Sequence, residues 1–155
     1  MTHLLVLDAS VVGAITNPKQ TNEIVRDCQI WFRRSLARLS IFVLPEIADY
    51  EIRRELLRGK KINGLKKLDE LKSAIYYYPI DSEIMLTAAQ LWAESRQRGM
   101  PTADARELDG DVILAAQAIQ LQSKGYEVTI VTTNVGHLAQ FVTASHWQDL
   151  SIDRD

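Results

Sequence analysis

Leu4-Leu5-Val6-Leu7-Asp8 decides the fold: four apolar side chains in succession, then a carboxylate. Side chains alternate between the two faces of a strand, so an unbroken apolar run implies burial on both faces, as in a parallel sheet covered by helices. Ile41-Phe42-Val43-Leu44, stopping at Pro45, repeats the pattern. So do the aromatic stretch Tyr76-Tyr77-Tyr78-Pro79-Ile80 and the β-branched stretch Val128-Thr129-Ile130-Val131-Thr132. Leu150-Ser151-Ile152 is a fifth candidate strand.

Between these runs the apolar spacing changes to three and four residues, the helical period. Residues 21 to 39 place Ile24, Cys28, Trp31, Phe32, Leu36 and Leu39 on one stripe. A second helix is expected from Pro45 to about Leu57, with Arg58-Gly59-Lys60 as its stop. A third runs near 62 to 75, and a fourth from Ser82 to about Arg98, closed by Gly99 and Pro101. A fifth covers 110 to 123 and ends at Lys124-Gly125, which leaves Met100 to Gly110 as a long loop. Strands alternating with helical crossovers give an α/β fold with a mostly parallel sheet of four to five strands, in a single domain over residues 1–155.

A chain of 155 residues is expected to bury roughly 70% of the surface it exposes when unfolded. The 46% apolar and 25% charged content excludes a disordered chain, a disulfide scaffold and a collagen-like fibre. The 18 bases against 20 acids, net −2, argue against a strongly basic nucleic-acid binder and leave a local basic patch open. One cysteine, Cys28, cannot form an internal disulfide and suits a reducing compartment. MTHLLVLDAS lacks the charged start of a signal peptide, and no apolar run approaches the roughly 20 residues of a bilayer span. A cytoplasmic protein without a membrane anchor is expected.

In open parallel sheets, ligands bind beyond the carboxyl ends of the strands. Asp8 follows the first run directly; its plainer role is a helix N-cap, as is that of Ser10. In the helix after the second run, each residue turns about 100°, so with Ile47 at zero Glu51 falls near 40° and Glu55 near 80°. Two carboxylates therefore enter the core-facing arc and need a cation, a metal or a cavity. The plainer reading is a salt bridge to Arg54 or Arg58, and Glu55 also suits the surface. Asp111 opens the expected late helix, beside Ala115 and Ala118, where the helix dipole favours an anion; Asp109 is a natural N-cap. Asn134 follows the fourth run in Thr132-Thr133-Asn134, as a ligand to water or phosphate or as a turn residue before Gly136.

Three carboxylates gathered at one sheet edge repel one another, and a hard divalent cation, Mg²⁺ or Mn²⁺, resolves that. Such an ion activates water toward a phosphodiester. Arg53 to Lys67 carries seven bases against one acid, Glu55, and begins beside Glu51; it reads as a phosphate-binding stripe or as a solvated helix face. His3, His137 and His146 show no zinc spacing, and none stands out as a general base. Trp31, Trp92 and Trp147 suit packing or an interface, and Trp31 and Phe32 could serve a subunit contact. There is no Gly-rich phosphate loop, and Ser10 stands where a haloacid-dehalogenase-like phosphatase needs a second Asp.

Val6-Leu7-Asp8-Ala9-Ser10 resembles the opening of PIN domains, as found in VapC-type toxins. The segment 45–56, with Glu51 on the acidic position, resembles their second block, and 111–118 their "D-x-x-I-A-A-x-A" helix start. Thr132-Thr133-Asn134 is similar to their "T-x-D" strand end, with Asn134 where the family more often has Asp. The blocks follow family order over nearly the whole chain. The resemblance implies a three-layer α/β/α domain, metal-dependent cleavage of an RNA substrate, a cognate protein antitoxin and a homodimer. It makes Asp8 and Asp111 direct metal ligands, with Glu51 aiding a ligand or its water. The change at Asn134 could weaken a second metal site and keeps open a non-catalytic RNA- or protein-binding module on the same fold.

Overall fold

A computed structural model describes residues 1–99 and 105–150. In chain order the elements are β1 (His3–Leu7), α1 (Ala9–Ile15), α2 (Glu23–Ala37), β2 (Ile41–Pro45), α3 (Glu46–Arg58), α4 (Ile62–Ala74), β3 (Tyr76–Tyr78), α5 (Ser82–Gln97), α6 (Ala105–Ser123), β4 (Glu127–Val131), α7 (Val135–Leu138) and β5 (Ala144–Ser145). A 3-10 turn follows at Trp147–Asp149.

The apolar runs pair as one sheet of order β3-β2-β1-β4-β5, every neighbouring pair parallel. Alternation along the strands feeds two cores. Leu7, Phe42, Leu44 and Val131 face Val11, Cys28, Trp31, Phe32 and Leu68 of α1, α2 and α4. Leu4, Val6, Val43 and Ile130 face Leu114, Ala115 and Ala118 of α6 and Leu138 of α7. α5 packs outside α6 through Ile84 and Ala88 against Leu108, Val112 and Ala116. Helices on both faces of the sheet make an α/β/α sandwich. Strand order reverses at β1, between β2 and β4, so the crevice beyond the carboxyl ends of β1 and β4 is the ligand position of such a sheet.

Three expectations change. Residues 105–110 are helical rather than loop; α6 begins earlier because Leu108 belongs to its contact with α5. Residues 100–104 lie outside the described residues. The fifth strand is Ala144–Ser145, bonded through Thr132 N–H to Ser145 O at 3.0 Å and Ile130 N–H to Thr143 O at 2.9 Å. Leu150 follows the 3-10 turn and packs partly buried on the core, while Ser151 and Ile152 lie outside the described residues. Trp31 and Phe32 are core residues, 4% and 7% exposed, with ring centroids 5.5 and 4.8 Å from Phe42, so neither is available to a subunit contact. Among the described residues no helix is long and apolar enough to cross a membrane.

Candidate metal centre

Asp8 stands where β1 ends and α1 begins. Its N–H donates to Val131 O at 2.9 Å, which ties the end of β1 to the end of β4. Its Oδ1 accepts from Ala9 N–H at 2.7 Å, the N-cap expected from sequence. Its Oδ2 accepts from the hydroxyls of Thr132 at 2.7 Å and Ser10 at 3.2 Å. Ser10 Oγ in turn accepts from Thr133 N–H at 3.2 Å, and Thr132 Oγ1 from Asn134 N–H at 2.9 Å. Both carboxylate oxygens are thus fixed before any ligand arrives. Sequence reading passed over Thr132 as a support; its sign is a fully buried hydroxyl at the end of a strand beside β1.

Glu51 lies one helical turn after Ile47, in the core-facing arc of α3, and is half-buried. Its carboxyl is pushed up to about 7, first by burial, then by the negative charge of Asp8; Arg54 offsets part of this and Asp111 adds to it. Asp8 after β1 and Asp111 on α6 therefore lie near enough for their charges to reach Glu51 on α3. Gly110 belongs to the same geometry. A Cβ built there would lie 2.9 Å from Glu51 Oε2 and 3.3 Å from Oε1, so α6 leaves room for the carboxylate by lacking a side chain at that position.

Asp111 does not open its helix. It lies six residues inside α6, past the first turn where the dipole acts, so packing rather than the helix end positions it. Its side chain is 21% exposed, and Oδ2 is 3.8 Å from His137 Nδ1. Asp109 is an exposed helical residue and not an N-cap. Asn134 caps the short α7 without a side-chain cap bond and places Nδ2 2.9 Å from His137 Nδ1. Sequence reading set His137 aside; the three-residue step from Asn134 became informative only with the turn after β4 known.

Glu55 leaves the site. Its side chain is 56% exposed and pairs with Arg58 one turn on, with Oε2 3.0 Å from Arg58 Nε, as a surface acid should. The basic tract is partly neutralised. Arg53 holds buried Asp49 with two bonds, of 3.0 and 2.9 Å, and reaches Asp69 at 2.9 Å. Arg54 stacks on Tyr50 at 5.1 Å and bears on Glu51, while Lys60, Lys61, Lys66 and Lys67 are exposed.

Among the described residues no three His, Cys, Asp or Glu side chains are gathered closely enough to hold a metal ion by themselves. Mg²⁺ needs less, because it keeps several waters and takes one or two carboxylates. The oxygen donors of Asp8, Glu51 and Asp111 fit such an ion in kind. Glu51 is raised first by burial and then by the neighbouring acids, and a cation would relieve the second of these.

No family model and no curated protein matches this sequence. Solved structures do. A VapBC2 complex from Rickettsia felis, bound to a DNA fragment of its promoter, aligns over 93% of this chain and 98% of that one, at TM-score 0.69 and 17% identity. VapBC-1 from nontypeable Haemophilus influenzae aligns over 94% and 99%, at 0.67 and 14%. DNA-bound VapBC from Salmonella typhimurium aligns over 95% and 99%, at 0.63 and 19%. The fold is that of a PIN domain. At these identities the likeness is one of architecture. The PIN-like layout accounts for the five-stranded parallel sheet and for the crevice between β1 and β4, and it leaves the chemistry to the side chains.

Proposed function

We propose that this chain is a metal-dependent ribonuclease of the VapC kind, the toxin of a toxin–antitoxin pair, hydrolysing RNA phosphodiesters. The observation that carries the reading is the placement of Glu51: its half-buried carboxylate sits against Gly110 of α6, next to Asp111, and within reach of the charge of Asp8 where the strand order reverses. A raised carboxyl within reach of two other acids, in a crevice at a strand-order reversal, marks a site rather than a scaffold. Asp8 and Asp111 would hold Mg²⁺ or Mn²⁺ directly, Glu51 would assist a ligand or its water, and Asn134 borders the site. The ion, when bound, supplies positive charge that polarises the phosphate and activates water.

The chain's own residues do the positioning. Ala9, Ser10 and Thr132 lock Asp8 in one orientation. Glu51, poised near neutrality, can take up or release a proton on its carboxylate. Arg54 and the exposed lysines 60, 61, 66 and 67 attract the phosphate backbone. The VapBC neighbours support a cognate antitoxin as partner. A groove between α3 and α5, lined by Tyr50, Leu57 and Met85, supports a homodimer.

The test is cleavage of RNA with Mg²⁺ or Mn²⁺ by wild type, Asp8→Asn and Asp111→Asn. Both variants should lose activity, and full activity in both sinks the site. Asn134, in place of the acid more usual in the family, favours a second reading, a non-catalytic RNA- or protein-binding module. RNA binding without any divalent-ion binding would select it.

A further inference from the structure

The turn after β4 brings a nitrogen donor to the oxygen site. His137 Nδ1 lies 3.8 Å from Asp111 Oδ2 and 2.9 Å from Asn134 Nδ2, with side-chain exposures of 34% for His137 and 21% for Asp111. Rotating the Asn134 amide by half a turn exchanges its oxygen and nitrogen, so its acceptor can face the same point. The imidazole nitrogen then has an amide oxygen and a carboxylate oxygen within 4 Å. With metal–ligand distances of about 2.1 Å, neighbouring ligands of an octahedral ion stand about 3 Å apart and opposite ones about 4.2 Å. The 2.9 Å separation suits neighbouring ligands, and the 3.8 Å one lies between the two values, so a side-chain adjustment of under about 1 Å brings it to either.

We propose that His137 is a nitrogen ligand in a metal subsite shared with Asp111 and Asn134, and that it biases the site away from Mg²⁺ toward first-row transition ions. The inference rests on the metal-site reading above. Its chemical ground is that imidazole suits transition ions, whereas a purely oxygen site suits Mg²⁺. The other two histidines are occupied elsewhere: His3 bonds Thr129 at 2.8 Å, and His146 accepts from Gln148 N–H at 3.1 Å.

The experiment is Mn²⁺ titration of the whole chain by calorimetry, followed by pulsed electron paramagnetic resonance of the bound ion. Wild type should show coupling to a directly coordinated imidazole nitrogen. His137→Gln, checked for folding by its melting curve, should lose that coupling, bind Mn²⁺ about tenfold more weakly and discriminate less between Mn²⁺ and Mg²⁺. Bound Mn²⁺ without nitrogen coupling in wild type, or coupling that persists in His137→Gln, overturns the assignment and leaves the metal reading standing. Absence of Mn²⁺ binding overturns both.

Discussion

Gly110 on α6 and the Glu51 carboxylate on α3 are in direct contact: a methyl group at Gly110 would stand 2.9 Å from Oε2. A glycine inside a helix costs about 0.5–1 kcal/mol relative to alanine, so its place here answers to the neighbouring acid. The orientation of the Glu51 carboxylate beside Asp111 depends on this gap.

Gly110→Ala should therefore separate stability from site geometry. The carboxylate is the movable end of a side chain and will yield, while the helix gains propensity. Thermal melting should be unchanged or higher, by up to about 1 kcal/mol, and Mn²⁺ affinity measured by calorimetry should fall at least about threefold. Wild-type affinity in this variant would show that Glu51 does not bear on the ion.

Glu51 also predicts a pH dependence. Its folded value, about 7, lies above its ordinary 4.5, so between those limits the folded state binds more protons than the unfolded state. Stability from this group is therefore complete below pH 4.5 and is lost as pH rises through 7. In metal-free buffer, Glu51→Gln should match wild type near pH 4.5 and exceed it at pH 8. Discounted for solvent screening of a half-buried group, the gain is about 1–2 kcal/mol. Urea midpoints across this range check it; parallel curves for the two proteins would contradict the burial and charge argument.

The sheet was legible because burial on both faces writes itself as unbroken apolar runs in β1 and β2, while β3 showed as an aromatic stretch and β4 as a β-branched one. β5 has two residues, Ala144 and Ser145, and no such signature. α1 is only seven residues long, too short for a period to stand out after Asp8. The start of α6 was obscured by Asp109 and Gly110, which read locally as cap and breaker but are held in the helix by Leu108 against α5 and by Glu51. Within the site, rotation about α3 singled out Glu51. The same arithmetic put Glu55 in the arc too, and there the plainer alternative, a surface acid paired with Arg58, is the one that holds, because the core no longer covers the end of α3. Thr132 and His137 were hidden because their partners lie across the sheet and across α6, at separations a linear pattern does not carry.

Cys28 should be chemically silent in the folded protein. It is fully buried beside Trp31 and Phe32, and burial pushes its thiol up to about 12, leaving almost no thiolate at pH 8. Iodoacetamide should label it slowly in native buffer and stoichiometrically in denaturing urea, as counted by intact mass. Rapid labelling in native buffer would contradict the packing of α2 on the sheet.

The basic tract should divide into structural and RNA-binding halves. Arg53 neutralises Asp49, which is 6% exposed, so Arg53→Ala strands a buried carboxylate and should cost about 2–3 kcal/mol in urea unfolding. The exposed lysines 60, 61, 66 and 67 lack that duty, and their alanine variants should stay within about 0.5 kcal/mol of wild type. On the ribonuclease reading, each phosphate contact removed should flatten the salt dependence of RNA affinity by about 0.7 in log–log slope. Fluorescence anisotropy of labelled single-stranded RNA across a KCl series measures that slope. An unchanged slope in the quadruple lysine variant would move the RNA path away from α4 and toward Arg54, whose charge bears on Glu51.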